Sequence, residues 1–180
     1  MRFARKLLIA LVAGAAVTTA AVPAQATPFR DHPAAVTVEC GVNGPARFDP
    51  GIRTEFQQVT LKFKSDDRGC VGNTGGVLSA TFHGATQGSM SCHRSPGGNE
   101  GKGKITWKLV DGSTSTSVVD FRAAGTSLAE AELRGTVVSG RFKGAAFRSD
   151  INVSIINGAV KCLSPQGATE ATVSGDFFIG

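Results

Sequence analysis

Lys104-Ile105-Thr106-Trp107-Lys108-Leu109 decides how this chain folds. Ile105, Trp107 and Leu109 alternate with Lys104, Thr106 and Lys108. A period of two puts the apolar side chains on one face of an extended strand and the polar ones on the other. Outward from it the same signal recurs at roughly ten-residue spacing, the interval at which short strands and tight turns alternate. Val59, Leu61 and Phe63 share a face against Thr60, Lys62 and Lys64, and Leu78, Ala80 and Phe82 repeat the pattern. Val119 and Phe121, Leu133 and Val137, Phe142, then Ile151, Val153 and Ile155 continue the series, and Val173, Phe177 and Ile179 close it.

The breaks between these runs carry turn chemistry. Asp111-Gly112, Ser139-Gly140 and Asn157-Gly158 each separate apolar runs and supply the positive φ that tight hairpins require. The one helical competitor, Thr126-Ser127-Leu128-Ala129-Glu130-Ala131-Glu132-Leu133-Arg134, alternates in its second half and reads as a strand. We therefore expect an all-β domain of about nine or ten strands, a single-domain antiparallel β-barrel, with a β-sandwich as the alternative. Closure is preferred because it removes edge strands.

The amino terminus sets the compartment. Arg2, Arg5 and Lys6 precede an apolar run from Leu7 to Val17, and Ala24-Gln25-Ala26 offers a small-x-small cleavage site. This is the three-part pattern of a secretory signal peptide, with an apolar run too short for a stable bilayer anchor. The expected organisation is a signal peptide over 1–26, a flexible arm over 27–35 containing Pro28 and Pro33, and an all-β domain over 36–180. The product is expected to be secreted, with no transmembrane segment after leader removal, and monomeric.

Removing the leader also changes the charge balance. The full chain has 19 Lys and Arg against 14 Asp and Glu, and three of the 19 lie in the leader, so 16 face 14 in the mature part. With no long Lys/Arg run and no aromatic-basic platform, nucleic acid is not an expected partner. One Trp and no Tyr argue equally against an aromatic sugar-stacking face.

Cys40, Cys70, Cys92 and Cys162 all lie in the mature part, and an even count in an exported chain implies two disulfides with three connectivities. Residues paired across a hairpin have a constant index sum. Cys40 with Cys70 centres a hairpin near Glu55, just beyond Asp49-Pro50-Gly51, which makes Cys40–Cys70 with Cys92–Cys162 the preferred pairing.

Chemistry-bearing residues are sparse. His83, His93 and Arg94 around Cys92, with Asp66-Asp67-Arg68 before Cys70, outline one polar patch in which a histidine base and an orienting carboxylate can be imagined. No G-x-S-x-G elbow or free thiol supplies a nucleophile. Gly97-Gly98-Asn99-Glu100-Gly101-Lys102-Gly103-Lys104 lacks the spacing of a phosphate-binding loop and reads as a flexible β-loop with solvated lysines. Asp66, Asp67 and Asp111 do not have calcium-loop spacing. No catalytic residue, cofactor or metal is assigned.

Cys40-Gly41-Val42-Asn43-Gly44, Phe48-Asp49-Pro50-Gly51-Ile52, Gly103-Lys104-Ile105-Thr106-Trp107, Gly112-Ser113-Thr114-Ser115-Thr116-Ser117 and Gly135-Thr136-Val137-Val138-Ser139-Gly140-Arg141-Phe142 together give a pattern of glycines, cysteines and strand residues. In it the chain resembles small exported all-β proteins of actinobacteria. The resemblance implies fold and compartment and no catalytic residue. The expected function is that of a secreted, non-enzymatic binding or cell-envelope-associated module with an extracellular ligand or protein partner. The alternatives are a carrier enclosing a small apolar ligand, and a secreted hydrolase, isomerase or protease inhibitor.

Overall fold

The computed structural model describes residues 37–124 and 127–180; the leader expected over 1–26 and the arm expected over 27–35 lie outside the described residues. The strands, in chain order, are β1 (Val38–Ile52), β2 (Gln57–Lys64), β3 (Arg68–Gly72), β4 (Val77–Met90), β5 (Glu100–Leu109), β6 (Thr114–Ala124), β7 (Glu130–Gly140), β8 (Ala146–Ile155) and β9 (Ala168–Ile179). A short helix, α1 (Gly158–Cys162), lies between β8 and β9.

The strands form one antiparallel sheet that closes into a ring. From β4 to β9 each strand pairs with the next, and β9 returns to β1 from Val38↔Ile179 to Arg47↔Glu170. The gap between β1 and β4 is filled by β2 and β3 end to end, each pairing with both neighbours. They behave as one strand interrupted at Ser65, Asp66 and Asp67. On either side of the interruption the register to β1 differs by one residue, from Ala46↔Phe63 to Cys40↔Cys70. Buried Ser65 bridges the break: its N–H donates to the Phe82 carbonyl at 2.8 Å, and its Oγ accepts from the Phe82 N–H at 2.7 Å. The extra residue shifts the inward phase, which runs through Phe63 and Ser65 before the break and through half-buried Cys70, opposite buried Cys40, after it.

Inside the ring, aromatic side chains meet edge to face or tilted. Phe82 lies 5.0 Å from Phe63, 5.4 Å from Phe147 and 5.5 Å from Phe177, and Trp107 lies 5.8 Å from Phe177. Trp107 is fully buried, and its indole N–H donates to Ser117 Oγ at 2.8 Å, which satisfies the one polar atom its burial would otherwise strand. Room for these rings comes from inward glycines. Gly84 is the register partner of Phe63 and Gly101 that of Phe121, and in each case the ring lies where a glycine Cβ would be. At Gly135 the obstacle is main chain, with Phe121 Cα only 2.7 Å from the position a Cβ would take.

Both disulfides form as expected. Cys40 and Cys70 are direct register partners with Cα atoms 4.2 Å apart; Cys92 and Cys162 tie the β4–β5 connection to α1 with Cα atoms 6.1 Å apart. The β5–β6 turn also follows its sequence signal: Gly112 has φ 83°, and Asp111 Oδ1 accepts from the N–H and Oγ–H of Ser113.

Three readings are corrected. Leu78 is 58% exposed, because the β4–β5 register shifts between Val77 and Ser79 and hands its inward place to Val77. Phe142 belongs to the β7–β8 turn rather than a strand; its φ of 62° turns the ring to within 5.2 Å of Trp107 at the end of the core. Asn157-Gly158 does not close a two-residue hairpin. Asn157 takes a left-handed conformation (φ 55°) and starts α1, so the chain reaches β9 only at Ala168, after Cys162 has met Cys92.

Candidate functional site: a basic strip on the outer face

The polar patch drawn from the sequence is dispersed. His83 points outward from the middle of β4, whereas His93 and Arg94 lie exposed in the 91–99 connection beyond its end, about 20 Å of strand away at the usual rise per residue. Neither carboxylate of the pair before β3 serves a histidine. Asp67 pairs with Lys108, and Asp66 lies 3.9 Å from Arg68. The Asp67 carboxyl is held below its usual range by its hydrogen bond to Lys108 and then by one to Ser79. Asp111 is likewise lowered by its hydrogen bonds to Ser113.

What surrounds His83 instead is positive charge. The register sets Lys64 of β2 against His83, and His83 against Lys104 of β5. The next outward row runs Arg47, Lys62, Ala85, Lys102 across β1, β2, β4 and β5. Arg47, Lys62, Lys64, His83, Lys102 and Lys104 are all exposed, and together they make a basic strip crossing four strands. Among the described residues, Arg47, Lys62, Lys64 and Lys104 have no carboxylate within ion-pair distance. Lys102 meets Asp120 only at 3.9 Å. The His83 imidazole is held below its ordinary pKa by partial desolvation against the neighbouring strands, then by the Lys64 and Lys104 charges. Arg47 and Lys62 are like charges set directly opposite, which opposes pairing, and Lys64 and Lys104 stand about 9.5 Å apart across β4 with His83 between them.

A second set of cations, on β6, β7 and β8, is built differently. Arg122, Arg134 and Arg148 face one another in register, but each has a carboxylate. Arg122 meets Glu100 at 2.7 Å, Arg134 meets Glu132 at 2.6 Å, and Arg148 meets Glu132 at 3.4 Å and Asp150 at 3.0 Å. An open groove of about 720 Å³ lies between the two sets, with Lys102 on one side, Arg122 and Arg134 on the other, and Gly101 and Gly135 among its lining.

The sequence marked Lys62, Lys64 and Lys104 only as the polar side of strands, and Lys102 with Lys104 as solvated lysines of a loop. Their signal was the repeated Lys-x-Lys of two strands, but nothing local shows that those strands lie on either side of β4. The 97–104 segment is also more ordered than a flexible loop. Glu100 already opens β5, Gly98 and Asn99 bond to the main chain of Ala123, and buried Asn99 donates to Ser95 Oγ at 3.0 Å.

The interior offers little space. Beneath the 91–99 connection, among Leu61, Phe63, Met90 and Leu128, a gap of about 30 Å³ remains, about the volume of one water molecule and far below the ~300 Å³ of a small-ligand pocket. The described residues contain no group of three His, Cys, Asp or Glu side chains able to hold a metal ion, and no helix long and apolar enough to cross a membrane. In comparisons with known proteins, no family model, curated protein or solved structure matches the chain.

Proposed function

We propose that this chain is a secreted, non-enzymatic binding domain of the cell envelope, and that it meets its ligand through the basic strip centred on Lys62, Lys64, His83 and Lys104. The observation that carries this reading is the contrast in pairing. Lys64 and Lys104 flank His83 in register on either side of β4 without carboxylates, although the same sheet neutralises Arg122, Arg134 and Arg148 a few strands away. An uncompensated cluster attracts anions and raises their local concentration at the surface. The two disulfides suit an oxidising compartment.

The rival readings have less support. Carriage of an apolar molecule would require the packed aromatic interior to open. Hydrolysis would require His83 or His93 to gain an orienting carboxylate. Inhibition of a protease would use the 91–99 connection, but there the Arg94 main chain is already engaged by Ser91 and by a bridge to Ser127. The test is sedimentation of the mature protein with washed envelopes of the producing organism. Wild type should co-sediment at low salt, and Lys64→Glu/Lys104→Glu should remain in the supernatant with its near-ultraviolet Trp107 signal unchanged. Equal sedimentation of both proteins would reject the strip as the binding face.

A further inference from the structure

Resting on that reading, we infer that the ligand of the strip is a linear, flexible, non-nucleic polyanion carrying one negative charge per repeat, of the phosphodiester or carboxylate type found in envelope polymers. The geometry of the strip carries the argument. Lys62 and Lys64 are two residues apart on β2, and Lys102 and Lys104 two apart on β5. Their backbone positions therefore repeat about every 6.6 Å along each strand, and β2 and β5 lie about 9.5 Å apart across β4. A compact dianion occupies one corner of such a net. A chain with separated single charges can touch every corner.

The residue types point the same way. Four of the six groups are lysines, which act as point charges on long stems and do not impose the planar bidentate geometry that arginine gives to a terminal phosphate or carboxylate. Thr60, Thr81 and Thr106 lie on the same outward face, half-buried, and offer hydroxyl donors low on the surface between the ammonium groups. Among the described residues, no Phe, Tyr or Trp side chain lies on the outward face of β2, β4 or β5, where the His83 imidazole is the one ring. Single-stranded nucleic acid draws much of its affinity from successive bases stacking on a series of aromatic rings, and this surface provides only the single His83 imidazole. The acidic groups at the border are Asp49 and Glu170 beside Arg47, Asp120 beside Lys102, and Glu100, which is held by Arg122. They border the strip on its β1 and β5 sides.

The experiment is titration of the mature, disulfide-intact protein with synthetic poly(glycerol phosphate), poly-glutamate and single-stranded DNA over a range of salt concentrations. Binding of at least one of the first two is expected, tighter than DNA of equal charge, and which one binds identifies the anion. For Lys62→Gln/Lys64→Gln/Lys104→Gln, affinity at low salt should fall at least about tenfold, and the slope of log K against log salt should shrink by about 2, as expected for three lost contacts to a single-stranded polyanion. Arg134→Gln/Arg148→Gln, altered on the other side of the groove, should change affinity by less than about threefold on the same counterion argument. The inference is overturned if neither polymer binds, if DNA binds as tightly, or if both variants lose affinity equally. Should neither polymer bind while envelope sedimentation still depends on Lys64 and Lys104, the polyanion inference fails and the strip remains the binding face.

Discussion

The two cationic regions of the ring use the same ladder geometry to opposite ends. On β6, β7 and β8, three arginines in register are interleaved with Glu100, Glu132 and Asp150, so each positive charge is neutralised within the sheet. On β2, β4 and β5, Lys64, His83 and Lys104 are in register with no such partners. A charged row is neutralised or left open by where the carboxylates fall: Glu100 ends the arginine row directly opposite Arg122, and Glu132 and Asp150 lie two residues along the strand from Arg134 and Arg148. The arginine ladder has its charge satisfied internally, and the lysine strip presents its charge outward.

Five variants bear on this contrast. The largest effect is expected at Gly135, beneath the arginine ladder, where a new Cβ meets the main chain of β6 and only a parting of β6 from β7 can accommodate it. Gly135→Ala should lower unfolding stability by about 3 kcal/mol, the upper range for overpacking, in urea denaturation. Gly84→Ala, beneath the strip, meets the Phe63 ring rather than main chain and should lose visibly less. Equal losses would mean that the two halves are equally tight.

Next in size is Glu132→Gln. It removes the carboxylate shared by Arg134 and Arg148 and leaves two guanidinium groups facing each other. For so exposed a pair, a loss of about 0.5–1 kcal/mol is expected, diminishing with added salt. The same measurement on Lys64→Gln/Lys104→Gln should show the opposite sign, unchanged or raised stability within about 0.5 kcal/mol, since repulsion is relieved and no pair is broken. A clear loss there would mean that the lysines have structural partners after all.

The smallest effect concerns pH. Because the His83 pKa is depressed in the folded state, below 6.5 the unfolded chain takes up a proton that the folded chain refuses. Stability therefore falls as pH drops from 6.5 through the folded pKa and levels off below it. His83→Gln should abolish that contribution. Removing the Lys64 and Lys104 charges should move the His83 titration, followed by NMR, back toward 6.5 without fully restoring it, because desolvation is the first cause and remains. A wild-type titration at or above 6.5 would contradict the positive field around the ring.

Much of the architecture was legible along the chain because it depends on short-range physics. Ile105 and Trp107 turn fully inward and Leu109 packs partly buried against the core, as their alternation requires, and Gly112 adopts the positive φ that Asp111-Gly112 announces. The readings failed where one residue altered phase, as at Leu78, or where a turn signal was put to another use, as at Asn157, which opens α1 rather than a hairpin. The candidate site was hidden for a related reason. His83 attracted notice as a possible base, but its character comes from Lys64 and Lys104, which approach it from two other strands.

By itself the sequence determined the strand class and the inward face of most strands, and through the hairpin centred near Glu55 it favoured the pairing of Cys40 with Cys70; each follows from a period of two and the chemistry of a turn. Only the tertiary structure decided that the sheet closes and that Lys62 and Lys64 stand across β4 from Lys102 and Lys104. Those lysines are distant in the chain, and the registers of β2 and β5 on β4 bring them together. A slip of one residue in either pairing would turn that strand's lysines inward and its apolar residues out. The burial that fixes the core therefore also assembles the charged strip on its outer surface.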